Sequence, residues 1–376
     1  MASNVDLADR FDVSGPTHIM SRSGAGPSSP TMIDWNNEED RRCVAACVVK
    51  GTYILENDRT MCRVHAEALA PPWWESFHFR LSGVLTEESF RRKCDKLIFG
   101  AIYENVPVAG GRRHPSAPQY IVAFRGTMLP HPKAIHDLFL DFKIMANTLS
   151  DSKRSELAHR AVDTLLATIA RGKAGSEGSG VVWLAGHSLG ASLALEVGRT
   201  MMAEQGRSLP TFLFNPPHVS PIPAINVMLP SEGVRRELLA KSNLVKAGLG
   251  LVLSPHWKRM ERLFERLSPW APNLYVHERD VICQGFIGYF EQRQQLEERC
   301  RGAKSATTLS YRDMLFSALG KEKERPHLLP SATLWKNSSM DRNANLLQQS
   351  LAAHELQQWW KSDADLRLSN RRYSFA

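Results

Sequence analysis

Ser188 stands between two glycines in the run Gly186-His187-Ser188-Leu189-Gly190. An apolar run, Val181 to Ala185, leads into it, and a helix-like run, Ala191 to Val197, leads out. A serine hydroxyl on such a strand-to-helix turn can attack a carbonyl carbon once a base takes its proton. The turn lifts the oxygen above the sheet and sets it at a helix N-terminus, where backbone N–H groups favour negative charge. The backbone at that serine is strained, so residues two positions away on either side must be small for strand and helix to close on each other. Gly186 and Gly190 meet that need.

Strand, G-x-S-x-G, helix is the nucleophile elbow of α/β-hydrolases, in which an acid and then a histidine follow the serine along the chain. The acid holds the histidine, and the histidine activates the serine. Asp280 lies just past the apolar run that begins at Asn273, and it is the first choice as acid. Glu278 is second, and Asp313 and Asp341 sit in polar surroundings. A carboxylate capping a turn is the competing explanation of Asp280. Two histidines follow, His327 and His354. His327 precedes Ser331 to Trp335, read as the last strand, and His354 follows it. The base sits after the final strand in this pattern, which favours His354, although a lone histidine is often structural. An oxyanion needs two fixed N–H donors. Leu189, directly after the serine, supplies one. Thr127, in the strand-ending Arg125-Gly126-Thr127, supplies the other, or that segment simply ends a strand. Arg125 reads as a structural ion-pair residue.

These residues need a frame. Helices are predicted over 34–50, 136–149, 155–170 and from the elbow to about Glu204. Strands are predicted over 97–103, 119–124, 181–185, 211–214, at 273 onward and over 331–335. Alternating strands and helices imply a mostly parallel sheet flanked by helices. Pro71-Pro72-Trp73-Trp74 marks a loop with anchoring aromatics. Residues 1–30 are rich in Ser, Gly and Pro and are expected to be disordered. Residues 35–376 are expected to form the catalytic domain. Residues 217–270 interrupt the alternation as an inserted helical cap or lid after the strand that follows the elbow helix. From Glu232 to Arg266 this insertion carries eight Lys/Arg against four Glu. Trp257, Met260, Phe264 and Leu267 recur there at helical spacing. Such a segment beside a site fits a lid or a peripheral contact with a membrane or lipid surface. A helix packed on the core fits the same stripe.

The chain has 376 residues, enough for one large α/β domain. A net charge of +8 suits an anionic surface, but no nucleic-acid motif accompanies it, so no nucleic-acid partner is expected. The six cysteines show no metal-type spacing, and no metal or cofactor is expected. The N-terminus lacks the apolar core of a signal peptide, and no run is long enough for a transmembrane helix. A cytoplasmic protein, with peripheral membrane association as the option the basic segment adds, is the expectation from these features. Asn337-Ser338-Ser339 reads as a chance glycosylation sequon.

Ile121 to Thr127, Leu184 to Ala191, Phe214-Asn215-Pro216-Pro217, Val276 to Val281 and Ala353-His354-Glu355-Leu356 before Trp359-Trp360 together resemble the class 3, or fungal-lipase-like, lipases of the α/β-hydrolase superfamily. With the Arg371-Arg372-Tyr373-Ser374-Phe375 ending, the chain looks most like a plant branch labelled GDSL esterase/lipase. The sequence itself carries G-x-S-x-G and lacks the block of the true GDSL fold. Asn215 departs from the family, which has glycine after this strand. The resemblance implies an α/β-hydrolase fold and a serine hydrolase of lipid or acyl esters. It also implies a triad of Ser188, Asp280 and His354, with Thr127 and Leu189 at the oxyanion hole and no cofactor. A catalytically silent scaffold or ligand sensor, or an acyltransferase, are the alternatives on the same fold.

Overall fold

Short apolar runs that alternate with helices assemble here into one sheet of eight strands whose order in space is their order in the chain. The computed structural model describes residues 15–20, 33–70, 73–88, 96–106, 113–128, 152–172, 181–218, 262–299, 329–340 and 346–375. The strands are β1 (Phe79–Glu88), β2 (Lys96–Asn105), β3 (Tyr120–Phe124), β4 (Val182–His187), β5 (Thr211–Phe214), β6 (Asn273–His277), β7 (Ala332–Asn337) and β8 (Leu368–Tyr373). Neighbours from β3 to β7 run parallel. The pairs β1/β2, β2/β3 and β7/β8 run antiparallel. A mixed α/β architecture with a mostly parallel sheet and flanking helices is therefore observed, as the alternation implies.

The central strands are apolar on both faces, as strands covered by helices on either side must be. Val122, Phe124, Val182 and Leu184 point into one core, and Ile121, Ala123, Trp183 and Ala185 point into the other. This is the two-residue period of the pleat. The first core also holds residues of α2 (Lys153–Gly172), α3 (Leu189–Gln205) and α4 (Gly285–Arg299). The second is covered by α1 (Glu38–Thr60) and by the single-turn helix Leu356–Trp360. Asn37 caps α1 by accepting the Glu39 N–H, and Glu38, Glu39 and Asp40 stand at its positive end. The predicted helix over 34–50 thus starts four residues later and ends ten residues later.

Three elements differ from the sequence reading. Ser331–Trp335 is not the last strand: β7 is followed by α5 (Leu346–His354) and then by β8, so the segment bearing His354 lies between two strands. β1 and β8 flank the sheet as antiparallel edges. α4 follows β6 where no helix was expected.

The predicted helix over 136–149 lies outside the described residues, as do 219–261 of the expected insertion. Phe264 and Leu267 of its apolar stripe are described and are buried in the first core. Within the N-terminal stretch, residues Thr17–Met20 make a helical turn with Ile19 buried; 1–14 and 21–32 lie outside the described residues. Cys43, Cys47, Cys62 and Cys283 carry free thiols. Among the described residues, no helix is long and apolar enough to cross a membrane. Asn337 of the sequon is buried in β7 and donates to Gln358 Oε1 at 2.9 Å.

Candidate active site

The elbow joins β4 to α3. Ser188 has φ 55° and ψ −127°, the strained conformation expected where a strand turns directly into a helix. Its N–H donates to the Phe214 carbonyl of β5 at 2.9 Å, and its carbonyl accepts the Ala191 N–H at 2.9 Å. The two glycines hold backbones in contact. A Cβ on Gly186 would lie 2.2 Å from the Gly190 carbonyl oxygen, and one on Gly190 would lie 2.3 Å from the Phe124 carbonyl oxygen. Neither position admits a side chain.

Three of the residues chosen from sequence meet. His354 Nε2 stands 3.0 Å from Ser188 Oγ, and His354 Nδ1 stands 2.8 Å from Asp280 Oδ2. All three are buried, Asp280 most of all at 1% exposure. A carboxylate can only accept, so Nδ1 carries the proton and Nε2 faces the serine hydroxyl as an acceptor. His354 is the last residue of α5. Asp280 follows β6 in a turn where its carbonyl accepts the Gln284 N–H at 2.9 Å. Glu278 is exposed, and His327, Asp313 and Asp341 lie outside the described residues.

Asp280 is held from several sides. The Ile282 N–H donates to Oδ1 at 3.0 Å, and Asn215 Nδ2 and Cys283 Sγ lie 2.7 and 3.0 Å from Oδ2. Burial opposes the carboxylate charge, but the His354 imidazole and the donors from His354, Cys283 and Ile282 outweigh it. The Asp280 carboxyl is therefore held below the usual carboxylate value. Burial and the charge of Asp280 push the Cys283 thiol well above its ordinary value, so the thiol stays protonated and donates.

Several contributors are not evident as a pattern in the sequence. Asn215, at φ 48°, donates to both Asp280 Oδ2 and the Ala353 carbonyl and accepts the Trp359 indole N–H at 2.5 Å. Its departure from glycine is the signal that could have marked it. His187 Nδ1 stands 2.9 Å from the Tyr53 hydroxyl and Nε2 stands 2.8 Å from the His354 carbonyl. Tyr53 comes from α1, more than a hundred residues away, and no spacing reveals it.

Gly126-Thr127 follows β3 and lies against the elbow. A Cβ on Gly126 would lie 2.9 Å from Ser188 Cβ. The Gly126 N–H donates to Tyr53 Oη at 2.7 Å. Arg125 is structural, as its reading anticipates: it donates to the Ile98 and Gly126 carbonyls and lies 3.5 Å from Glu56. Among the described residues, no group of three His, Cys, Asp or Glu could hold a metal ion.

Arg42, fully buried in α1, fixes the segment after His354. It donates to the Trp359 and Lys361 carbonyls, each at 2.9 Å, and to Asp363 Oδ1 at 2.6 Å. Helix α1 therefore anchors both sides of the site, through Tyr53 and through Arg42.

No family model matches the chain, and no solved structure matches it. The chain is 36% identical over 372 residues to an Arabidopsis thaliana protein named a GDSL esterase/lipase; the match covers 94% of this chain and 95% of that protein. At that identity over nearly the whole of both chains, this protein belongs to the plant esterase/lipase family of that relative, the one labelled GDSL esterase/lipase.

Proposed function

We propose that the protein is a serine carboxylic ester hydrolase of the class 3, fungal-lipase-like type, built on an α/β-hydrolase fold. The observation that carries this reading is the line of two hydrogen bonds from Ser188 through His354 to Asp280. The esterase/lipase name of the Arabidopsis relative supports the same activity.

Ser188 Oγ attacks the ester carbonyl carbon while His354 Nε2 takes the hydroxyl proton. Asp280 holds the Nδ1–H and favours the imidazolium that forms. The N–H groups of Leu189 and Thr127 receive the developing oxyanion, since the Gly126 N–H is engaged by Tyr53. The carbonyl–alkoxy bond then breaks, and His354 returns its proton to the leaving alcohol. The acyl group remains on Ser188. Water attacks that acyl-enzyme with His354 as base, the bond to Oγ breaks, and the carboxylic acid leaves with Ser188 reprotonated. None of these steps needs a metal or an organic cofactor. Residues 35–376 form the hydrolase unit in this reading, and the substrate class is a lipid or other acyl ester.

Hydrolysis of a series of p-nitrophenyl esters of increasing chain length tests this. Wild type is expected to turn over, and Ser188→Ala to lose about 10⁴-fold or more in kcat. A folded wild type without hydrolysis, or a Ser188→Ala variant as active as wild type, would overturn the reading and turn attention to a silent scaffold.

A further inference from the structure

His187 occupies the variable position of the elbow, beside Ser188, yet its side chain does not reach the serine. It bridges the two segments that flank the serine. The chemistry of its partners fixes every proton along the bridge. The His354 carbonyl can only accept, so His187 Nε2 carries the hydrogen and donates across 2.8 Å. The Gly126 N–H can only donate, so Tyr53 Oη accepts it at 2.7 Å. Tyr53 then has one hydrogen to give, and it goes to the bare Nδ1 of His187 at 2.9 Å. The path runs one way: Gly126 N–H to Tyr53, Tyr53 O–H to His187, His187 N–H to the His354 carbonyl.

We propose that His187 is a positioning residue, which with Tyr53 couples the turn at Gly126-Thr127 to the backbone of His354 and so fixes the oxyanion donor and the base relative to Ser188. The inference rests on the triad reading above. The bridge works only with His187 neutral, because a second ring proton would face the Tyr53 hydroxyl and reverse that bond. The surroundings keep it so: burial, with the neighbouring His354 adding to it, pushes the His187 imidazole down to about 3. Tyr53 also keeps its proton at neutral pH, since burial pushes its phenol up to about 12. The link therefore holds around neutral pH. The ring also lies against both partners, with centroids 5.9 Å from Tyr53 and 5.1 Å from His354. The neighbouring carbonyl, that of Ala353, is bound by Asn215 Nδ2 at 2.9 Å and by Gln358 Nε2 at 2.6 Å. The backbone at the base is thus held at two successive carbonyls, and of these three tethers the one from His187 leads to the oxyanion turn.

The test is steady-state hydrolysis of p-nitrophenyl butyrate by full-length wild type, Ser188→Ala, Tyr53→Phe, His187→Phe, His187→Gln and the Tyr53→Phe/His187→Phe double variant, each checked for folding. Tyr53→Phe and His187→Phe are expected to lower kcat by about 10- to 100-fold with KM nearly unchanged, because a small misplacement of catalytic groups costs rate rather than binding. The double variant should lose no more than the worse single variant, since both break one chain. His187→Gln, whose amide offers both N–H donors and a carbonyl acceptor, should recover much of the rate. Folded Tyr53→Phe with wild-type kcat, or losses confined to KM, would overturn the proposal, and Tyr53→Phe decides alone if His187→Phe fails to fold. These results are read against active wild type and inactive Ser188→Ala. If those two controls fail, the triad reading falls and takes this inference with it.

Discussion

Asn215 Nδ2 lies 2.7 Å from Asp280 Oδ2 and 2.9 Å from the carbonyl of Ala353, so one side-chain amide ties the acid to the residue preceding the histidine. Its two hydrogens serve two acceptors on different segments, and its oxygen accepts from Trp359. Asn215 sits directly after β5 at φ 48°, a left-handed conformation that asparagine tolerates better than most residues.

This relationship predicts the order of two variants. Asn215→Gly keeps the backbone conformation and removes these side-chain bonds, leaving the buried Trp359 indole N–H without this acceptor and taking one donor each from Asp280 and the Ala353 carbonyl. It should lower stability by about 1–3 kcal/mol in urea unfolding and reduce kcat with little change in KM. Asn215→Asp sets a second carboxylate beside Asp280 and should be the worse of the two in kcat, because like charges there disfavour the ionised acid. An Asn215→Asp enzyme more active than Asn215→Gly would contradict this role.

A second prediction concerns stability and pH. In the unfolded chain a histidine binds a proton below about 6.5; in the fold His187 resists protonation down to about 3. Between those values the unfolded state binds more protons, so His187 lowers stability as pH falls through the window, and stability recovers as pH rises. Asp280 acts in the same direction at lower pH: its carboxyl is held below the ordinary 3.8, so its contribution is present above that value and is lost as pH falls further. Urea midpoints of wild type and His187→Gln at about pH 7 and about pH 4.5 separate the His187 contribution from that of other histidines. The wild type should lose more stability than the variant on acidification; equal losses would show that His187 titrates normally.

Much of this molecule was legible because parallel strands buried on both faces read as apolar runs. Thr211–Phe214 matches the expected strand, and Tyr120–Phe124 and the elbow strand differ only at their ends. The edges were harder. β8, Leu-Ser-Asn-Arg-Arg-Tyr, has its middle residues exposed, so no alternation marks it. β1 is interrupted by irregularities near Gly83 and Leu85 that blur its two-residue period. At the candidate site, the meeting of Ser188, Asp280 and His354 was legible because a turn, a strand end and a chain order mark them. Tyr53, His187 and Arg42 were not, because their work consists of hydrogen bonds to residues 73 to 321 positions away, which leave no local pattern.

The most direct measurement is peptide mapping by mass spectrometry after reaction with a fluorophosphonate, which forms a stable adduct only with an activated serine. A single adduct on the peptide containing Ser188, absent in Ser188→Ala and strongly slowed in His354→Ala, is the predicted result. A folded wild type that takes up no label, or takes it up at another residue, would contradict the assignment of Ser188 as the nucleophile.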